Sequence, residues 1–317
     1  MNQGNKINSG EYIMRIEKKF ADQIKDKDFI VTAEYLPGAD TDAAHINSIL
    51  NSLKEVPSAV NVSDNPFSVS MSSFAASLHL IQAGIEPIYQ MVTRDRNRIA
   101  IQSDILGASS LGISNMLCLS GYHQLLTDNP ESANVYDIDS TQLLAMTEKL
   151  RNSGELLNGT KINGSFNMLT GAVSNPFMKP VELNILRVSQ KTDAGAAFFQ
   201  THAVFDVETF GVWLAAANDA GITGRAAVLA GILPLESAEE AEALRDKYTD
   251  FNIPDPIIER LKSAGSAEAR KREGIAICAE IIGKIKNMSG LRGIHILSGG
   301  KEHLIPEILS ASGLSGK

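Results

Sequence analysis

Cysteine is nearly absent from this 317-residue sequence: only Cys118 and Cys278 occur, far apart. Two such residues give neither a disulfide framework nor a zinc-ligand spacing, and each lies in an apolar run where a small core residue belongs. The six histidines, His45, His79, His123, His202, His295 and His303, form no HExxH or related pattern, so no metal site is expected. No GxSxG nucleophile elbow occurs, and no P-loop or GxGxxG leads a strand into a helix; a nucleotide cofactor would bind in another mode. Basic charge is short as well, 29 Lys and Arg against 37 Asp and Glu, and the net charge of -8 argues against a nucleic-acid partner. No apolar run is long enough to span a bilayer, and the polar start from Met1 to Gly10 has no apolar signal segment. A cytoplasmic location is the default expectation. Linkers, internal repeats and low-complexity tracts are missing too, which predicts one barrel domain over 28–317 behind an N-terminal extension, 1–27, partly helical or frayed.

What is present reads as a folded α/β protein, 44% hydrophobic and 21% charged. Strand-like runs fall at about 28–35, 59–63, 85–92, 114–119, 162–169, 196–201, 225–230 and 292–297. Amphipathic segments follow near 41–55, 69–83, 97–111, 139–153, 180–194, 207–220, 237–248 and 267–288. Ser140 reads as a helix N-cap, the run from Ser237 to Leu244 as a strong helix former with acid in its first turn, and Gly195 as a helix C-cap. Eight alternations predict a single (β/α)8 TIM barrel, with a doubly wound sheet as the alternative. Two long loops, about 120–138 and 249–266, are where barrel enzymes tend to keep function; the second carries Pro254 and Pro256.

The run from Phe29 to Pro37 reads as a buried strand closed by a Pro37-Gly38 turn, with one carboxylate, Glu34, near its end. Burying an unpaired carboxylate is costly, and barrel strands end at the active site, so Glu34 is the candidate general acid. The plainer alternative is a strand-end residue paired with Lys or Arg. Thr93 to Arg98 holds three arginines and Asp95, which suits a phosphate or glutamate tail. Local ion pairs worth at most about 1 kcal/mol are the bland alternative, preferred for Arg98 but not for Asp95. Ser120 and Gly121, after the fourth strand, would let backbone approach a ligand closely. Gln200, Thr201 and His202 place polar groups at the end of the sixth strand. From the residues alone, the reading stops at a barrel enzyme with an acidic group and an arginine-rich rim.

Together these runs resemble the methylenetetrahydrofolate reductase family over about residues 28–300. The likeness rests on Val31-Thr-Ala-Glu34, Thr93-Arg-Asp-Arg-Asn-Arg98 continuing to Asp104, Leu119-Ser-Gly121, Lys191-Thr-Asp-Ala-Gly-Ala196, Gln200-Thr201 with Val204-Phe-Asp206, and Gly231-Ile-Leu-Pro234. Val135 to Ser140 and a turn at Gly171 to Pro176 resemble the branch of acetogenic and related anaerobic bacteria.

The resemblance implies a TIM barrel with FAD at the carboxyl ends of its strands. Reduced flavin would pass hydride to the methylene carbon of 5,10-methylenetetrahydrofolate, giving 5-methyltetrahydrofolate, while Glu34 as general acid helps open the five-membered ring. It further implies FAD contacts from Ser63, Asp64, Gln90, Arg94, Asp95, Leu119, Ser120, Gly121, His123, Asp137 and Lys191. The folate would meet Tyr122, Gln200 and His202. Electrons would come from NADH, NADPH or a partner reductase subunit, and a homo-oligomer is expected. Two positions depart from the family pattern. Its acidic residue after Leu-Xaa-Gly is Tyr122 here, and its Thr-Gln pair on the sixth strand is Thr201-His202. A phenol lacks a carboxylate's charge at neutral pH and an imidazole offers different donors from an amide. A corrinoid-linked, folate-binding methyltransferase and a non-catalytic folate- or partner-binding subunit are therefore the alternatives.

Overall fold

The computed structural model describes residues 19–248 and 251–315. Its strands are β1 Ile30–Tyr35, β2 Ala59–Val62, β3 Pro87–Val92, β4 Asn115–Leu119, β5 Leu169–Ser174, β6 Phe198–Ala203, β7 Ala227–Ile232 and β8 Leu291–Ile296. All neighbours are parallel, and β1 pairs with both β2 and β8, so the sheet closes on itself. The helices are α1 Phe20–Asp26, α2 Ala43–Leu53, α3 Ser73–Gln82, α4 Arg98–Ser110, α5 Ser140–Ser153, α6 Val181–Asp193, α7 Val207–Asp219, α8 Ala238–Lys247, α9 Asp255–Ser263, α10 Ala267–Ile285 and α11 Ile305–Ala311. This is the (β/α)8 barrel that the alternation predicts.

Strands buried on both faces carry two separate cores. Alternate residues such as Tyr89 and Met91 pack outward against the helices, while Ile30, Ala59, Ile88, Leu117, Phe198, Ala227 and Leu229 fill the lower barrel. α1 plugs the floor. Phe20 meets Phe198 edge-on, with centroids 5.1 Å apart, and its N–H donates to Glu86 Oε2 at 2.8 Å. Asn115 Nδ2 donates to the other Glu86 oxygen, and burial pushes this carboxyl above its ordinary range.

Four expectations need correction. The fifth strand is Leu169–Ser174, not 162–169; the region before it holds glycines with positive φ at 154, 159 and 164 and one antiparallel bridge, Glu155 to Lys161. Gly171 suggests a turn but sits mid-strand, because a Cβ there would lie 2.4 Å from the Phe198 ring. The loop expected at 249–266 contains α9, which Pro254 caps and Pro256 opens. Asp139, not Ser140, caps α5, in a reciprocal capping box with Gln142. Ser237 caps α8, the helix expected there, and Gly195, at φ +107, follows the last turn of α6. Cys118 and Cys278 are buried free thiols. Among the described residues no helix is long and apolar enough to cross a membrane, and no His, Cys, Asp and Glu cluster could hold a metal ion.

Candidate active site

At the carboxyl ends of the strands the barrel opens into a cavity of about 400 Å³, within the range of small-molecule sites. Below it lies a polar layer where barrels usually carry Val, Ile or Leu. Asn61 on β2 and Gln200 on β6 exchange amide hydrogen bonds, and Gln200 Nε2 also donates to Thr32 Oγ1 at 3.2 Å. Thr32 in turn meets His295 Nδ1 at 3.0 Å, and burial lowers the His295 pKa to about 3, so the imidazole is neutral.

Glu34 stands above this layer, half-buried at the end of β1. Ser63 Oγ donates to its Oε1 at 2.6 Å, and the Ser298 N–H donates to its Oε2 at 3.0 Å. Neither Lys nor Arg pairs with it among the described residues. Its partners are the Ser63 hydroxyl, just after β2, and a backbone N–H in the turn after β8, which fix the carboxyl at the cavity wall.

The other expected site residues divide into two groups. Ser63, Asp64, Gln90, Arg94, Leu119, Gly121, Tyr122, Gln200 and His202 line the cavity. Ser120, His123, Asp95, Asp137 and Lys191 do not. The Ser120 hydroxyl accepts from the Ser140 N–H, and His123 caps the 3-10 turn at 124–126. Asp137 grips exposed Arg98, which holds the carboxyl down at about 2. Lys191 Nζ donates to the Val173 carbonyl at 2.8 Å, and burial lowers its pKa. Asp95 serves Arg94, whose guanidinium is shared among Asp95, the Tyr122 carbonyl and the Asn65 carbonyl. Arg96 closes on buried Asp64. Each of the three arginines is thus paired with a carboxylate, as the ion-pair alternative has it, and Arg94 also lines the cavity.

Gly121, on the cavity wall, also has a packing reason to lack a side chain. It holds φ +85, and a Cβ there would lie 2.5 Å from Val92 Cγ1, so its absence makes room for β3. Tyr122, beside it, stacks on Phe67 at 5.4 Å and meets Tyr248 at 5.6 Å; Phe67 and Tyr248 close the triad at 5.1 Å. Sequence reading passed over Phe67, Leu244, Phe251 and Glu240, which also line the cavity. They lie on loops and on α8, and no strand-end signal points to them. Ser298-Gly299 was findable, because it follows β8 as a Ser-Gly pair of the kind noticed after β4.

A flat ring with a polar edge fits this cavity. Val92, Leu117, Leu119 and Val173 give apolar walls, and the Gln90 amide makes no side-chain hydrogen bond among the described residues. Those residues fit the ring system of a flavin. The methylenetetrahydrofolate reductase family model matches residues 19–313. The chain belongs to the methylenetetrahydrofolate reductase family. A Caenorhabditis elegans relative named "Probable methylenetetrahydrofolate reductase (NADPH)" is 25% identical over 249 residues, which is 77% of this chain and 35% of that protein. This family member thus spans about a third of that relative's length. Its fold is also that of a Clostridium thermocellum protein that binds two copies of 5-methyl-5,6,7,8-tetrahydrofolic acid; the two superpose with a TM-score of 0.65 at 13% identity, over 93% of this chain and 98% of the other.

Proposed function

We propose that this chain reduces 5,10-methylenetetrahydrofolate to 5-methyltetrahydrofolate, with Glu34 as general acid. The observation that carries the reading is Glu34 itself: a cavity carboxyl with no cationic partner among the described residues, in a family member whose cavity has apolar walls and a polar floor. The folate bound by the Clostridium thermocellum protein adds support for a pterin ligand. A reduced flavin, when bound, supplies the hydride. Gln90, Val92, Leu119 and Gly121 are the residues that would hold its ring.

The protein's part is proton delivery and placement. The Glu34 carboxyl gives its proton to the ring nitrogen that leaves the methylene carbon, so the C–N bond breaks and the other ring nitrogen is left as an iminium. Hydride addition to that carbon completes the methyl group. Tyr122, Phe67 and Leu244 screen the cavity from water, and His202 offers an imidazole where the family pattern has an amide. NADH, NADPH or a partner reductase subunit delivers the electrons.

The paired arginines and the Tyr122 stack favour a second reading, a folate-binding barrel for corrinoid-linked methyl transfer or a folate-binding subunit, because Arg94, Arg96 and Arg98 are each held by a carboxylate. The visible spectrum of protein purified without air, before and after FAD and then 5-methyltetrahydrofolate, separates the two. A flavin band that bleaches with the methyl-folate is the expected result. Folate binding without flavin would overturn the reductase reading.

A further inference from the structure

A second carboxyl stands behind Glu34 and takes no part in the chemistry described so far. Glu302, in the turn at 302–304 after β8, is only 7% exposed. Its Oε1 accepts the Leu36 N–H at 2.8 Å and lies 3.1 Å from Ser298 Oγ. The same hydroxyl is 3.5 Å from Glu34 Oε2, and it accepts the Gly300 N–H at 3.2 Å. Ser298 is fully buried. One serine hydroxyl thus bridges a cavity carboxyl and a buried one.

We propose that Glu302 is a positioning residue that holds a proton in reserve for Glu34 and passes it through the Ser298 hydroxyl. This rests on Glu34 acting as the general acid. After Glu34 has protonated the substrate, the Ser298 O–H proton moves to Glu34 Oε2 while Ser298 Oγ takes the proton from Glu302 Oε1. The serine ends unchanged, Glu34 is again a carboxylic acid, and Glu302 carries the negative charge until solvent restores its proton. Ser298 Oγ accepts from the Gly300 N–H and donates to Glu302 Oε1; for the transfer its O–H turns to Glu34 Oε2, which leaves the serine oxygen free to accept from a protonated Glu302.

The surroundings suit the role. Burial raises the Glu302 pKa, with the nearby Glu34 charge acting in the same direction against the Leu36 and Ser298 hydrogen bonds. The other charged groups around it are occupied. Lys301 turns to Glu240 and the Pro234 carbonyl, Glu307 of α11 pairs with Lys271, and His45 of α2 binds Asp40. Tyr35, on β1, is pushed up to about 12 by burial and by Glu302 and Asp40, so it stays neutral in the working range.

The test follows the carboxyl carbons of the full chain, labelled with ¹³C at glutamate Cδ, through a pH titration by NMR. In Glu34→Gln, which removes the neighbouring charge, the Glu302 midpoint falls. A shift of at least about 0.7 pH unit, a five-fold coupling, is expected. Ser298→Ala keeps both carboxyls and removes the bridge; it leaves a smaller shift and lowers kcat about tenfold with KM changed less than about twofold, a loss within the range of general acid catalysis. Midpoints that ignore the partner, or a reductase whose pH profile is unchanged in both Glu302→Gln and Ser298→Ala, would overturn the proposal. Coupled midpoints in a protein that reduces no folate would leave the carboxyl pair standing and remove the reductase reading instead.

Discussion

Asn61 and Gln200 face each other inside the barrel as a reciprocal amide pair: Asn61 Nδ2 donates to Gln200 Oε1 at 2.5 Å, and Gln200 Nε2 returns a bond to Asn61 Oδ1 at 2.9 Å. Both residues are nearly inaccessible to water. Gln200, expected from the sequence to touch the folate, therefore spends its amide on the barrel and makes a fixed polar floor.

Removing one member leaves the other unsatisfied in a dry interior. Asn61→Ala should lower the unfolding free energy by about 1–3 kcal/mol, read from the denaturant midpoint at constant m-value. The double change to Ala and Leu at positions 61 and 200 should cost less than the sum of the single changes, since no orphaned amide remains.

Glu34→Gln keeps the shape and removes the transferable proton. Reduction of methylenetetrahydrofolate should fall about 10²–10⁴-fold, while folate binding persists in an equilibrium titration. Activity near the wild-type value would exclude Glu34 as the acid.

His295 gives a pH signature. Its folded pKa of about 3 lies below the ordinary 6.5 because burial disfavours the charged ring. Above pH 6.5 both folded and unfolded states hold it neutral, and its contribution to stability is complete. Below that pH the unfolded ring takes a proton that the folded ring refuses, so this contribution is lost at about 1.4 kcal/mol per pH unit until the folded ring titrates. Denaturation curves between pH 7 and 5 should be steeper in pH for the wild type than for His295→Asn.

Gly171→Ala should destabilise the barrel by about 1–3 kcal/mol through its collision with the Phe198 ring. Adding Phe198→Leu should recover part of the loss, which thermal unfolding of the pair of variants will read.

The sequence by itself determined the eight alternations, the helix that starts at Ser237, the cap after α6, the position of Glu34 at the end of β1, and the family, because apolar period, turn chemistry and motif spacing are local properties of the chain. β5 escaped because Gly171 breaks its strand signal, and the reason for that glycine is a ring on the next strand. The pairing of the arginines, the amide floor and the Phe67–Tyr122–Tyr248 stack were decided only when the sheet closed. Asn61 meets Gln200 across 139 residues, and Glu34 meets Ser298 across 264. Such contacts follow from strand register and barrel closure, which bring together groups whose chemistry no local pattern connects.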